Sequence, residues 1–298
     1  MTETTGCSIT MLAGKGGVGK TTCAAATALH HARLGRRTLA VSTDATPSLR
    51  HIFEKTDGAR PARVQESLFI NELGLNEIKE MWDSKFGREV YEVFSSFVAI
   101  GYEEFVDFMT SLLPGLADEF MVDYIRELSR KGEYESIIWD TAPLGQTLAL
   151  LQTPAMLRQH LRLAPRIYSR LKLGKSNREP ILDIVGRWDK LSADNMEFLQ
   201  NEVELVLVTI PEALAVEQLE GVFHELSQYN LRVKQLVINN VVTADNSAFL
   251  AAKASQQKGY LDLIHSKYGD LPIIELPMFP HEIKGLDRLK QVESVLFQ

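Results

Sequence analysis

A glycine-rich stretch near the start of the chain decides the fold. Residues 14–22 read Gly14-Lys15-Gly16-Gly17-Val18-Gly19-Lys20-Thr21-Thr22 and fit the pattern G-x-x-x-x-G-K-[ST]. The stretch follows an apolar strand predicted at 8–12 and precedes a helix predicted at 22–32. Glycines let backbone N–H groups curl around phosphate groups, and the helix N-terminus adds its positive dipole. The stretch therefore predicts a phosphate-binding loop in which all nine residues contact a nucleotide.

Three side chains of this loop have expected roles of their own. Lys20 is predicted to hold the β- and γ-phosphates and to act in catalysis, and the Thr21 hydroxyl is predicted to bind Mg²⁺. Lys15 is an additional lysine that a generic phosphate-binding loop does not require. It is the residue that distinguishes this loop from others of its kind.

Apolar strands alternate with helical stretches along the rest of the chain. The other predicted strands lie at 38–42, 68–70, 136–139, 205–210, 235–238 and 273–276. This pattern is typical of a parallel sheet covered on both faces. We therefore expect a three-layer α/β fold with a mostly parallel sheet flanked by helices. A single phosphate-loop domain would span 1–298 and carry a helical subdomain formed by two insertions, at about 72–130 and 153–202.

Two aspartates follow predicted strands. Asp44 comes just after strand 38–42, and Asp140 comes directly after strand 136–139. Parallel strands carry their C-terminal ends along one edge of a sheet, so both carboxylates are expected near the phosphate loop. Phosphoryl transfer to water needs an oriented water molecule and a held Mg²⁺ ion. We assign the first task to Asp44 and the second to Asp140, directly or through a metal-bound water.

Composition restricts the class of protein. Of the 298 residues, 45% are apolar and 24% are charged, which is enough apolar material for a sizeable core. The net charge of −7 argues against a nucleic-acid partner. Cys7 and Cys23 are too few for a disulfide framework or a four-ligand metal site within one chain. With no signal peptide and no long apolar stretch in the sequence, we expect a cytoplasmic protein.

The loop sequence resembles that of a known class of ATPases. Lys15-Gly16-Gly17-Val18-Gly19-Lys20-Thr21 is similar to the deviant phosphate loop shared by nitrogenase iron protein, the septum- and chromosome-positioning ATPases, and the arsenite-pump and tail-anchored-protein-targeting ATPases. In that class the first lysine reaches across a dimer interface to the nucleotide of the other subunit. The resemblance therefore implies ATP as substrate, Mg²⁺ as cofactor, and a homodimer in which Lys15 acts in trans.

Four further segments narrow the resemblance to the arsenite-pump and tail-anchored-protein-targeting ATPases. They are residues 42–44 with 48–49, residues 140–143 with 145, 147 and 148, residues 237–240, and residues 276–277 with 282–286. In that family the first two segments are switches and the last two approach the adenine. The resemblance implies that Asn239 and Pro277 contact the base.

The chain also departs from the family pattern. The first switch usually reads Asp-Pro-Ala-His, whereas here it reads Asp44-Ala45-Thr46-Pro47. Eukaryotic targeting members bind zinc between subunits through a Cys-x-x-Cys pair, and the matching positions here are Ser247 and Leu250. Because neither residue is a zinc ligand, no zinc is expected at that position.

Three functions fit these features. The leading hypothesis is an ATP-driven dimer that binds or targets hydrophobic clients, in particular tail-anchored membrane proteins. The first alternative is the ATPase subunit of an arsenite, antimonite or other anion efflux system, which would need a membrane-protein partner. The second is a surface-positioning ATPase whose apolar C-terminal helix, residues 283–295, would lie on a membrane.

Aromatic and methionine side chains in the first insertion have two interpretations. They are Phe94, Phe97, Phe105, Met109 and Leu112, in stretches where apolar residues recur at helical spacing. They could line a groove for an apolar client helix, since flexible side chains suit varied clients. They could equally form a second small core, because a buried stripe and a binding groove use the same residues.

Overall fold

The computed structural model describes residues 6–44, 48–56, 60–95, 101–106, 116–142, 145, 147, 149, 152, 155, 158–159, 175–243 and 247–298. The chain divides into two compact units. The first unit comprises Met1–Leu73, Leu128–Thr147 and Glu202–Gln298, and the second comprises Gly74–Glu127 and Leu148–Asn201. We call these the nucleotide unit and the helical unit.

The nucleotide unit is built on one twisted sheet. Its strands are β1 (Ser8–Gly14), β2 (Thr38–Ser42), β3 (Ala62–Gln65), β4 (Leu68–Glu72), β5 (Ser136–Asp140), β6 (Val203–Thr209), β7 (Val233–Val241) and β8 (Ile273–Pro277). The order across the sheet is β3-β4-β2-β5-β1-β6-β7-β8. Every pairing is parallel except that of β3 with β4. The predicted α/β class and its seven strands are confirmed, and the antiparallel edge strand β3 is an addition.

Helices complete both units. They are α1 (Lys20–Arg33), α2 (Leu49–Ile52), α3 (Leu75–Trp82), α4 (Arg88–Ser95), α5 (Leu116–Arg130), α6 (Lys175–Asn201), α7 (Ala213–Gln228), α8 (Ala248–Tyr268) and α9 (Leu286–Leu296), with a π-helical segment at Asp83–Gly87 between α3 and α4. The first and last helices, α1 and α9, pack against each other in the nucleotide unit. Small alanines on α1, such as Ala24, Ala25 and Ala28, are fully buried and bring this helix close to the sheet.

The C-terminal helix α9 has its apolar face covered. Leu289 is 0% exposed and Val292 is 1% exposed, and both belong to the core cluster that includes residues of α1 and the sheet. Glu293 on the same helix is paired with Arg33 of α1 at 2.6 Å. Packing within the unit therefore accounts for the apolar spacing that also suggested a membrane-surface helix.

The helical unit has its own small core. It is formed by Trp82, Phe86, Phe105, Val106 and Phe120. Phe105 is 0% exposed, and its ring centroid lies 6.1 Å from that of Trp82. Phe105 is therefore a core residue and does not line an open groove. The structure does not describe the other residues proposed for the groove, which are Phe97, Met109 and Leu112. For Phe94 it describes the backbone only.

A truncation in α9 tests how this helix is used. We expect Leu289→Ala to lower the free energy of unfolding by about 2–5 kcal/mol, because it leaves a cavity beneath α9. Arg288→Ala, on the exposed side of the same helix, is the control and should change it by less than about 0.5 kcal/mol. Urea titration measures both. Unchanged stability in Leu289→Ala, with a loss of vesicle binding, would instead favour the membrane-surface interpretation.

Candidate active site

The phosphate loop joins β1 to α1 and allows no side chain at Gly14. A Cβ atom there would lie 2.2 Å from the backbone oxygen of Val208 on the neighbouring strand β6. Gly17 and Gly19 have φ angles of 80° and 95°, in the left-handed region that favours glycine. A Cβ atom on Gly19 would also lie 2.3 Å from the Asn239 side chain. The loop is thus shaped by close backbone packing as well as by its turn geometry.

Lys20 is buried and folds back on its own loop. Its side chain is the first of α1, the residue is 7% exposed, and Nζ donates a hydrogen bond to the backbone oxygen of Lys15 at 3.1 Å. Burial lowers the pKa of Lys20, while the negative charges of Asp140 and Asp44 act in the opposite direction. The ammonium group is therefore held between the loop and the two predicted carboxylates.

Asp140 is brought to the loop by strand register. It pairs with Leu12 on β1 and with Ser42 on β2, so the ends of three adjacent strands lie level. Asp140 is fully buried at this position, with 0% of the residue exposed. Burial raises the pKa of Asp140 to about 7. The charge of Asp44 acts in the same direction, whereas Lys20 and the hydroxyls of Thr21 and Ser42 oppose it.

The oxygen atoms around Asp140 fit a Mg²⁺ ion. The Thr21 hydroxyl lies close enough to Asp140 to affect its pKa, and it is 3.3 Å from the Ser48 hydroxyl. Hydroxyl and carboxylate oxygens are the ligands that Mg²⁺ prefers. A cation would also offset the cost of burying this carboxylate, which Lys20 and the two hydroxyls offset only in part.

Both switch segments are anchored where they leave the sheet. Thr141 donates a hydrogen bond to the Leu12 backbone oxygen at 2.7 Å, just before the phosphate loop. Thr43 N–H donates to the Asp140 backbone oxygen at 3.0 Å, and the Asp44 N–H donates to the Ser42 hydroxyl at 3.3 Å. Asp44 therefore lies at the same edge as Asp140. Residues 45–47 of the first switch and 143–144, 146 and 148 of the second lie outside the described residues.

Lys15 is half-buried on the loop itself. Its backbone oxygen accepts the Lys20 hydrogen bond. Among the residues that the structure describes, none forms an ion pair with its ammonium group. Within the described ranges Lys15 therefore has no salt-bridge role.

A cavity of about 380 Å³ adjoins the loop. Its lining includes Gly17, Gly19, Asn239, Phe279 and His281. The Asn239 amide donates a hydrogen bond to the Val18 backbone oxygen at 2.9 Å, so it braces the loop while facing the cavity. This lining brings Asn239 and the loop glycines together, as expected for a base pocket.

The loop that follows the last strand lines part of this cavity. Pro277 ends β8 and is outside the cavity lining. Phe279 and His281 in the loop that follows are lining residues that the sequence analysis missed. The loop sequence Pro280-His281-Glu282 contains no recognisable motif. Its part in the cavity is apparent only in the structure, where it lies near Gly17 and Gly19.

Comparison with known proteins identifies the family. A family model described as Anion-transporting ATPase matches residues 7–298. The chain belongs to this family. It is an ATPase, and a nucleotide is its substrate. The predicted family is confirmed.

Relatives with two kinds of name are similar to the chain over most of its length. A putative arsenical pump-driving ATPase 2 of Aquifex aeolicus is 29% identical over 291 residues, which cover 95% of this chain and 97% of the relative. The ATPase GET3 of Lachancea thermotolerans is 31% identical over 314 residues, covering 95% of this chain and 87% of the relative. The ATPase GET3A of Arabidopsis thaliana is 28% identical, covering 93% and 80%.

The positions that match the zinc pair of eukaryotic members serve to begin a helix. The Ser247 hydroxyl caps α8 by accepting a hydrogen bond from the Leu250 N–H at 3.2 Å. Across the described ranges, no group of three or more His, Cys, Asp or Glu side chains could hold a metal ion. None of the helices in those ranges is both long and apolar enough to cross a membrane.

The raised pKa of Asp140 predicts a stability that depends on pH. The unfolded chain releases this proton near pH 4, whereas the folded protein keeps it up to about pH 7. Its contribution to stability is therefore complete at low pH and is lost as the pH rises through 7. We expect this group alone to lower the free energy of unfolding by roughly 3 kcal/mol between pH 5 and pH 8 without nucleotide.

Asp140→Asn isolates this contribution. In urea titrations at pH 5 and pH 8, the free energy of unfolding of this variant should differ less between the two pH values, by roughly the 3 kcal/mol assigned to Asp140. Glu119, a buried carboxyl of the helical unit whose pKa burial also raises to about 7, adds a dependence of the same sign. Glu119→Gln is therefore the matched variant. A pH dependence that stays unchanged in Asp140→Asn would contradict the assignment.

Proposed function

We propose that the protein is a Mg-ATP-hydrolysing switch that works as a homodimer and carries hydrophobic helices. The observation that supports the catalytic part most strongly is the convergence of Lys20, Asp140 and the phosphate loop at one edge of the sheet. Each group lies at the end of a different buried strand or the start of α1. Small movements of the switches can therefore change the site without changing the sheet.

The residues divide the chemistry among themselves. The loop N–H groups from Gly16 to Thr22 and the Lys20 ammonium bind the β- and γ-phosphates and stabilise the negative charge that develops during transfer. Asp44 orients a water molecule toward the γ-phosphorus, and the products are ADP, inorganic phosphate and a proton. Thr21 and Asp140 hold Mg²⁺, directly or through water, and the bound ion supplies charge neutralisation of the phosphate oxygens.

Two substitutions separate binding from turnover. Lys20→Ala removes a charge-assisted phosphate contact in a shielded site and should abolish measurable nucleotide binding. Asp44→Asn leaves the phosphate contacts intact, so it should keep ATP affinity within about threefold while hydrolysis falls by at least about a hundredfold. Calorimetry and phosphate release measure the two quantities. Tight ATP binding by Lys20→Ala, or equal losses in both variants, would contradict these roles.

The dimer part of the proposal rests on the same edge of the sheet. Lys15 has no ion-pair partner among the described residues of its own subunit, which suits a role toward a second subunit. Two large apolar side chains are exposed where α7 and α8 begin, Leu214 at 56% and Phe249 at 76%. Glu212 and Lys253 join these two helix starts at 3.1 Å. An apolar contact with a second copy would cover both side chains.

Phe249→Ser tests this dimer. We expect it to weaken ATP-dependent dimerisation by roughly tenfold, because a large aromatic contact is removed. Leu263→Ser is the control, since Leu263 is 52% exposed on the same helix but about 21 Å farther along it. Sedimentation with and without a zinc chelator measures the dimer. A dimer that the chelator dissociates, or that only Leu263→Ser weakens, would contradict the proposal.

The client part rests on the resemblance to targeting ATPases and on the separate helical unit. A transmembrane helix of about 20 residues needs a groove about 30 Å long to exclude water. Phe97 and Met109 are proposed to line it, and Phe105 is a core residue of the same unit. The efflux alternative is favoured by the relatives named arsenical pump-driving ATPases.

The two free thiols favour the client proposal over activation by arsenite or antimonite. Burial raises the pKa of Cys7 to about 11 and that of Cys23 to about 12. Both thiols are therefore protonated near neutral pH, whereas the thiolate is the form that binds soft metals and metalloids.

Co-expression with a protein that bears a C-terminal transmembrane helix separates the alternatives. We expect a stable complex in aqueous buffer, lost when Phe97 and Met109 are both changed to Asp and retained in Leu263→Asp. Size-exclusion chromatography and immunoblotting detect the complex. No complex in any nucleotide state, together with ATPase activity stimulated by antimonite, would favour the efflux function instead.

A further inference from the structure

A second cavity lies near the N-terminal ends of the central strands, at the opposite end of these strands from the phosphate loop. It has a volume of about 440 Å³, within the range of small-molecule sites. The sheet strands β1, β6 and β7 form its floor, and α1 and the end of α9 form its sides. Nothing in the proposed catalytic cycle uses it.

The cavity exists because α1 presents small side chains to this part of the sheet. Cys23 and Thr27 face it from α1, and both are buried. Larger residues at these positions would fill the space between α1 and β6. Along β1 the lining runs from Ser8 to Leu12, a depth of about 13 Å.

The inner end of the cavity is apolar. Its walls there are Leu12, Val206 and Val237 with the Cys23 thiol. Burial keeps that thiol protonated by raising its pKa to about 12. An alkyl chain would replace empty space with apolar contacts, worth about 0.8 kcal/mol for each buried CH₂ group.

One positively charged side chain at the mouth has no acidic ion-pair partner among the described residues. Lys234 and Glu204 line the mouth but pair with each other. Burial and the nearby Arg36 lower the pKa of His31 to about 4, so His31 is neutral near pH 7, and its Nδ1 lies 2.6 Å from the Ser136 hydroxyl. Arg36 remains, and in the described part of the chain no carboxylate pairs with its guanidinium.

We propose that this cavity binds a medium-chain monocarboxylate, with its carboxylate on Arg36 and its alkyl chain along Leu12, Val206 and Val237. The charge at the mouth selects an anion. A chain of about ten carbons spans the depth of about 13 Å from the mouth to the apolar inner end, which a short acid does not reach. The inner end of the site lies under Cys23, one helical turn beyond Lys20.

Calorimetry with decanoate tests the site in the full-length, nucleotide-free protein. We expect saturable binding of one decanoate per chain, and no binding of acetate or decylamine over the same concentration range. Arg36→Gln should weaken decanoate binding by at least about tenfold, because it removes a charge-assisted hydrogen bond. Arg232→Gln is the control, since Arg232 is also exposed just before β7 but lies outside the cavity.

Thr27→Met provides an independent test from inside the cavity. Methionine at this position fills the space beside Cys23 and should abolish decanoate binding, while circular dichroism checks that the variant is folded. No decanoate binding by the unmodified protein would overturn the proposal. If both Arg36→Gln and Thr27→Met bound decanoate as tightly as the unmodified protein, the proposal would also be overturned, because the amphiphile would then occupy another surface, such as the helical unit. Binding of decylamine as tight as that of decanoate would refute the role of Arg36.

Discussion

The buried carboxylate of Asp140 is the constraint on which the site depends. Removing an ionised carboxylate from water costs several kcal/mol unless another charge or hydrogen bonds compensate it. In this protein Lys20 and the hydroxyls of Thr21 and Ser42 offset part of this cost, but burial outweighs them. The cost appears as a pKa near 7. A bound cation would relieve this cost, so burial of Asp140 would favour the binding of Mg²⁺ beside it.

The parallel sheet is what places this carboxylate. Because Leu12, Ser42 and Asp140 are in register, three strands deliver the phosphate loop and the two switches to one edge. Thr141 and Thr43 then tie the start of each switch to a neighbouring strand. Asn239 extends the same arrangement to the base pocket by bracing the loop at Val18.

Sequence patterns predicted the parts of the structure that depend on local chemistry. The phosphate loop, the strand ends at Asp44 and Asp140, and seven strands follow from glycine spacing and apolar runs. Strand β3 was missed because it is a short edge strand with the polar residues Arg63 and Gln65. Phe279 and His281 were missed because a pocket wall made by a loop has no sequence period. Phe105 shows the limit of periodicity, since its spacing fits a groove and a core equally and only its burial decides.

Proton release on nucleotide binding tests the role of Asp140 most directly. Binding of Mg²⁺ with a non-hydrolysable ATP analogue can be measured by calorimetry at pH 6.5 in buffers of different ionisation enthalpy. With a pKa near 7, the Asp140 carboxyl is roughly three quarters protonated at pH 6.5, and it should release that proton when Mg²⁺ binds beside it. Asp140→Asn should release no proton from this position. A binding enthalpy that does not depend on the buffer, or the same release in Asp140→Asn, would contradict the account.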